Sequence, residues 1–381
     1  MRMACIDVGT NTTRLLVADC QDGRLVEVHQ EREFTRIGRE LSRGGTIGEA
    51  KIAEVVKVVG AQLASARAHG AREVRGVATA AIRSAVNGDA LIAAIEGAWG
   101  LAVETLSSER EARLAFAGAA GTLDQAPVGE LGVVDVGGGS SELVLGIAPD
   151  RVRWWTSLAI GSGDLADRCL HSDPPSDAEL AAARAQIAAA FGSLRVPRPA
   201  QAVAVGGNLT SLRKLAGPLL DPDVFARCLG LLGRERASEI ARRFTIDPQR
   251  ARLLPAGLLI LEAAAELFGV ALIVGCGGVA LAAARPSGAW MLSAFFDFAA
   301  IAWPSGDSIR RSAAPDARCP PNDARCQPGP SAGDPGAQPR RVSRVGEAAV
   351  ECVLSRGFGK DRPPRCPTSL KPSPPIPKKA S

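Results

Sequence analysis

Histidine is scarce in this 381-residue chain: His29, His69 and His171 are the only three, and they form no metal-spaced set. A phosphohistidine route would need one of them placed at the reaction site. The nine cysteines include no C-x-x-C pair, and Cys319, Cys326, Cys352 and Cys366 fall in a proline-rich tail at spacings unlike a zinc module. They read as reduced, structurally incidental thiols. A Walker A loop is absent. Gly329-Pro330-Ser331-Ala332-Gly333 matches the letters of a nucleophile elbow, but no strand precedes it and no helix follows. Long apolar runs are missing too. Leu253 to Val274 is broken by Glu262, Glu266 and Gly269, and Ala289 to Trp303 falls short of the roughly 20 residues that a membrane span requires. The first reads as a buried helix running into a strand. Met1-Arg2-Met3 leads straight into a strand with no leader pattern, so the expectation is a cytoplasmic protein. A strong charge of one sign is also lacking: the net charge is +5, and about 14 Lys/Arg against about 7 Asp/Glu lie from Pro304 onward, leaving the rest near −2. By charge the body is not a nucleic-acid-binding surface.

What is present is a repeated turn. In Ile6-Asp7-Val8-Gly9-Thr10-Asn11-Thr12-Thr13 and again in Val134-Asp135-Val136-Gly137-Gly138-Gly139-Ser140-Ser141, an aspartate at the end of an apolar run is followed by glycine and hydroxyl residues. Backbone N–H groups exposed in such a turn can cradle phosphate oxygens, and the carboxylate can hold a hydrated divalent cation. A third turn, Gly206-Gly207-Asn208, follows the apolar stretch Ala202 to Val205 and opens a helix. Two similar halves facing one anion are implied.

The order of elements supports that duplication. Strands are expected at Met3 to Val8, Arg14 to Ala18 and Leu25 to His29, then a helix with Ile52, Val55, Val59 and Leu63 at helical spacing. Val74 to Ala78 and Leu101 to Leu106 read as strands, with helices at Leu91 to Trp99 and Arg110 to Gly121. After Asp124-Gln125-Ala126-Pro127 the pattern restarts: strands at Leu131 to Val136, Glu142 to Gly146 and Val152 to Leu158, a helix from Ser176 to Phe191, a strand at Ala202 to Val205, and helices from Leu209 and Gln249. Three antiparallel strands followed by helix and parallel strand, twice over, is an α/β plan of two actin-like, ribonuclease-H-related domains flanking a cleft. The expected division is 1–124, 125–285 and an atypical, disordered tail over 286–381.

Blocks in the same order resemble the exopolyphosphatase/guanosine pentaphosphate phosphatase (Ppx/GppA) family, short two-domain form, over residues 1 to about 278. They are the two aspartate turns, Ala78-Thr79-Ala80-Ala81-Ile82-Arg83 with Asn87, Leu106-Ser107-Ser108-Glu109-Arg110-Glu111-Ala112-Arg113-Leu114, the Gly206-Gly207 turn, and Pro255 to Gly269. The resemblance implies a hydrolase of phosphoanhydride bonds. Glu111 would be the general base, with Asp135 and Glu142 beside it. Asp7, Asp135 and Glu142 would hold Mg²⁺. Gly9, Thr10, Asn11, Arg83, Gly137, Gly138, Gly139, Ser140, Gly206 and Gly207 would bind phosphate, and Arg14 is a weaker candidate. The implied partners are inorganic polyphosphate or guanosine pentaphosphate, with no nucleic acid and no membrane, and a homodimer is a possible assembly. A kinase of the same superfamily would need an adenosine pocket and an acceptor site. A sensor would bind polyphosphate or an alarmone without turnover.

One departure stands out. The family continues after its last strand with a glycine-leucine-arginine-glutamate-glycine helix, whereas here Gly277-Gly278-Val279 runs into alanine-rich sequence, so that helix is missing or rewritten. Beyond it lie roughly 15 of the 26 prolines, a composition that cannot offset its ordering entropy. A shifted reading frame or a divergent extension would produce such a change.

Overall fold

The computed structural model describes residues 1–21, 24–123, 127–275 and 278–283. All of them fall within one compact unit. The expected tail over 286–381, and with it the reading-frame question, lies outside the described residues.

Apolar runs in β1 (Arg2–Val8) and β2 (Thr13–Gln21), with β3 (Arg24–Glu33) beyond them, form an antiparallel meander. On the other side of β1, β4 (Glu73–Ala78) and β5 (Val103–Thr105) add in parallel, so the first sheet runs β3-β2-β1-β4-β5. The second sheet repeats the plan. Its meander is β6 (Leu131–Val136), β7 (Ser141–Ile147) and β8 (Arg151–Leu158). Strand β9 (Gln201–Val205) pairs in parallel with β6, and β10 (Leu219–Leu220) pairs antiparallel with β11 (Leu272–Val274), which lies parallel to β9. The order is β10-β11-β9-β6-β7-β8, the first sheet's pattern with one short strand added at the edge.

Each sheet is covered by a helix whose apolar stripe it completes. Val55, Val59 and Leu63 of the helix Glu49–Ala68 pack on Ala4, Ile6, Leu15 and Val17. Under the second sheet, the helix Leu254–Phe268 joins Val134, Val136, Leu143 and Leu145 in the largest core cluster. The stretch expected as one helix from Gln249 is two, Pro248–Ala251 and Leu254–Phe268, and Pro255 sits in the first turn of the second, where its missing N–H costs nothing. Strand β5 is shorter than expected, since only Val103–Thr105 finds a partner, in β4.

The helix Ser108–Ala120 belongs to neither half alone. Ala112, Phe116 and Ala119, at helical spacing, pack on Leu131, Val133 and Val144 of the second sheet. Leu114, Ala115 and Ala117 on the opposite face meet Cys5, Leu16 and Val77 of the first. Buried on both faces, it is held rigidly between the sheets. The residues after Gly278 do begin a helix, Val279–Ala283, whose alanines pack against this one and the first sheet. Close approach is possible because a Cβ on Gly118 would stand 2.2 Å from the carbonyl oxygen of Gly278. Among the described residues, no helix is long and apolar enough to cross a membrane.

Candidate active site

The two aspartate turns are built alike. The N–H of Gly9 donates to the Thr12 carbonyl at 3.0 Å, and that of Gly137 to the Ser140 carbonyl at 3.0 Å. In register, Asp7 lies opposite Arg14, and at the matching place in the second sheet Asp135 lies opposite Glu142. One strand further, Arg14 faces Arg32, whereas Glu142 faces Ser157. Equivalent positions of the duplicated fold thus carry guanidiniums in one half and a carboxylate with a hydroxyl in the other.

The turns touch across the cleft. A Cβ on Gly138 would come within 2.9 Å of the Asn11 carboxamide, and one on Gly163 within 1.8 Å. Only glycine leaves room for Asn11 to reach between them. The helix Ser162–Cys169 braces the second turn, with the N–H of Ser162 on the Gly137 carbonyl at 2.9 Å and those of Gly163 and Asp164 on Gly138. Asn208 Nδ2 donates to Ser162 Oγ at 2.9 Å, linking the third turn to the second. Gly206, with φ of 122°, sits where a Cβ would stand 2.8 Å from Asp135 Oδ1.

All four expected acids and all three glycine turns line one cavity of about 110 Å³. Glu111 stands in the first turn of the helix Ser108–Ala120, whose N-terminus is capped by Ser107 Oγ accepting from the N–H of Arg110 at 3.1 Å. That helix fixes where Glu111 points, and the residue is only 6 % exposed. Burial pushes Asp135 up to about 7, with the charges of Glu111 and Asp7 adding to the effect and Arg14 opposing it. Asp7 is pushed up to about 7 by burial and then by Glu111. Glu142 rises well above the usual carboxylate range for the same reason, although Ser157 Oγ donates to its Oε1 at 2.8 Å. Four carboxylates this close are held at the cost of desolvation and mutual repulsion, which a cation would relieve.

Arg83 is placed differently from the expectation of a phosphate contact. It is absent from the cavity wall, and its Nη1 donates to Glu111 Oε2 at 3.0 Å and to the Leu106 carbonyl at 2.7 Å. This pairing pulls the Glu111 pKa down against the upward push of burial, and burial prevails. The cationic wall is made by residues that the sequence leaves inconspicuous or ranks low: Arg14, Arg32 and Arg250. The Nε atoms of Arg14 and Arg32 are buried without a hydrogen-bond partner. Burial, reinforced by Arg14, pushes Arg32 down to about 8 and Arg250 to about 10. Guanidiniums seldom give up the proton, so these buried, mutually repelling charges would be relieved by an anion. In the sequence, Arg32 and Arg250 look like ordinary solvated charges. The alternation along β3 puts Arg32 on the same face as Gln30, a signal that carries no chemistry by itself.

Oxygen donors suit a hard divalent cation, and Asp7 Oδ1 is buried without a partner. No three His, Cys, Asp or Glu residues among those described are arranged to enclose an ion by themselves. A mostly hydrated ion needing one or two carboxylates and the substrate's own oxygens fits that arrangement.

Comparison with known proteins agrees with this architecture. A family model described as the Ppx/GppA phosphatase family matches residues 16–216. Exopolyphosphatase 2 of Mycobacterium tuberculosis is 33% identical over 287 residues, covering 68% of this chain and 89% of that protein. The crystal structure of the Aquifex aeolicus Ppx/GppA family member superposes with a TM-score of 0.63 at 29% identity, covering 74% of this chain and 96% of the other. An exopolyphosphatase structure from Cytophaga hutchinsonii shares the fold, with a TM-score of 0.65 at 23% identity over 74% of this chain and 96% of its own.

Proposed function

The chain belongs to the Ppx/GppA phosphatase family, and from that premise we propose that its cleft is an exopolyphosphatase centre that releases orthophosphate from the end of inorganic polyphosphate. The observation that carries this reading is one cleft lined by four carboxylates, three guanidiniums and the glycine turns. Hydrolysis of a phosphoanhydride requires neutralised oxygens, an aligned water and a stabilised leaving phosphate. The name of the relative Exopolyphosphatase 2 supports the choice of substrate.

In this reading the backbone N–H groups of Gly9 to Asn11 and Gly137 to Ser140 grip the terminal phosphate. Thr10 and Ser140 stand beside them, and the Gly206-Gly207 turn closes the far side. Arg14, Arg32 and Arg250 take the phosphates behind it, since their guanidiniums match phosphate oxygens in planar, forked geometry. The water oxygen bonds to the terminal phosphorus, the bridging P–O bond to the next phosphate breaks, and the water's proton passes to Glu111. Arg83 holds Glu111 by one oxygen and leaves the other for the water, a positioning role. Asp7 and Asp135 would hold a mostly hydrated Mg²⁺, with Glu142 ordering its water, and the ion when bound would neutralise phosphate oxygens.

The test is orthophosphate release from polyphosphate by the purified chain with Mg²⁺ and then with chelator, running guanosine pentaphosphate in parallel. Mg²⁺-dependent release, faster on polyphosphate, is expected. A folded protein that binds polyphosphate but releases nothing would refute turnover and leave a sensor.

A further inference from the structure

Beside the cleft lies a second cavity of about 250 Å³, and Asn11, Phe34 and Leu253 belong to the walls of both. Its rim is cationic. Arg36 and Arg39 come from the first half of the chain and Arg252 from the second, and Asp167 is the one carboxylate among the described lining residues. Arg39 already neutralises Asp167 through hydrogen bonds of 3.0 and 2.8 Å. The other two guanidiniums are held mainly by neutral acceptors: Arg36 Nη2 donates to Gln249 Oε1 at 2.7 Å, and Arg252 donates to the carbonyls of Leu170 and Ser172. The nearest carboxylate to Arg252, that of Asp173, stands 3.9 Å away. The cavity therefore carries a surplus of positive charge in a fixed arrangement, suited to a flexible polyanion.

The rim is also tied to the first phosphate turn. The N–H of Arg36 donates to the Asn11 carbonyl at 3.0 Å and that of Gly38 to the Thr10 carbonyl at 3.0 Å. Arg36 adopts the left-handed conformation, with φ of 48°. An arginine keeps that backbone only where its surroundings impose it.

We propose that this second cavity is a distal subsite for the polyphosphate chain behind its reacting end, so that chains long enough to fill both cavities are preferred over short ones. The inference rests on the polyphosphate reading of the cleft and adds a substrate-length preference to it.

The experiment measures KM on tripolyphosphate and on long-chain polyphosphate for the intact chain, Arg39→Gln and Asp167→Asn. Both substitutions break the same ion pair, but one removes a positive charge from the rim and the other a negative one. As a subsite, Arg39→Gln raises the long-chain KM about tenfold more than the tripolyphosphate KM, the worth of one charge-assisted hydrogen bond, while Asp167→Asn lowers the long-chain KM. If both variants move KM the same way, or move it equally for the two lengths, Arg39 and Asp167 are only a latch between the halves and the inference fails with the hydrolase reading intact. If the intact chain releases orthophosphate from neither substrate, the hydrolase reading falls, and the inference with it.

Discussion

Removing divalent cations and raising the pH from 5 to 8 should destabilise this protein, because its acidic wall then ionises with nothing to neutralise it. Asp135 is 7 % exposed and its pKa is pushed from 3.8 to about 7. A carboxyl whose pKa is raised by folding contributes stability that is fully present below about pH 4 and lost as the pH climbs through 7. At about 1.36 kcal/mol per pH unit, Asp135 alone costs the fold about 4 kcal/mol by pH 8, of which about 2.7 kcal/mol falls between pH 5 and pH 8. Asp7 adds less than a second such amount, since its charge is already among the causes that raise Asp135. The assay is urea unfolding at pH 5 and pH 8 in chelator, then at pH 8 with excess Mg²⁺. Stability should fall by several kcal/mol between the first two conditions and return in the third, as expected when a ligand binds only the folded state. Asp135→Asn should flatten the pH dependence in chelator and abolish the response to Mg²⁺. Stability in chelator that is constant or rises from pH 5 to pH 8 would refute the reasoning.

Three further outcomes are expected. Glu111→Gln keeps polyphosphate binding but lowers turnover by about 10² to 10⁴, the usual worth of a positioned general base; single-turnover phosphate release beside a binding titration checks it, and unchanged turnover removes Glu111 from the role. Arg250→Gln, which also frees the Gly207 carbonyl that its guanidinium holds, raises KM about tenfold or more with a smaller change in kcat, and weakens the dependence of KM on salt. Gly206→Ala places a methyl group 2.6 Å from the Val136 carbonyl oxygen at φ of 122°, so it should lower the unfolding midpoint and the activity together; an alanine variant with wild-type activity would show that the third turn is not needed in this shape.

What the sequence determined by itself is local. The aspartate turns, the strands that feed them and the repeated order of elements were legible because each depends on neighbours within a few residues: short apolar runs make β1 and β6, and glycine at 9 and 137 permits the tight turns. The acids Asp7, Glu111, Asp135 and Glu142 were legible as residues, and the family resemblance grouped them. Their surroundings were not. The sequence shows Glu111 within a run of alternating charges, and only the helix Ser108–Ala120, buried between two sheets, turns it inward and sets Arg83 against it. Arg32 and Arg250, 218 positions apart, read singly as surface charges. They share one cleft because β3 pairs beside β2 while the chain after β9 returns to the same end of the second sheet. Strand pairing and helix packing, which bring distant residues together by burying apolar surface, decided which charges lose their water and so which can do chemistry.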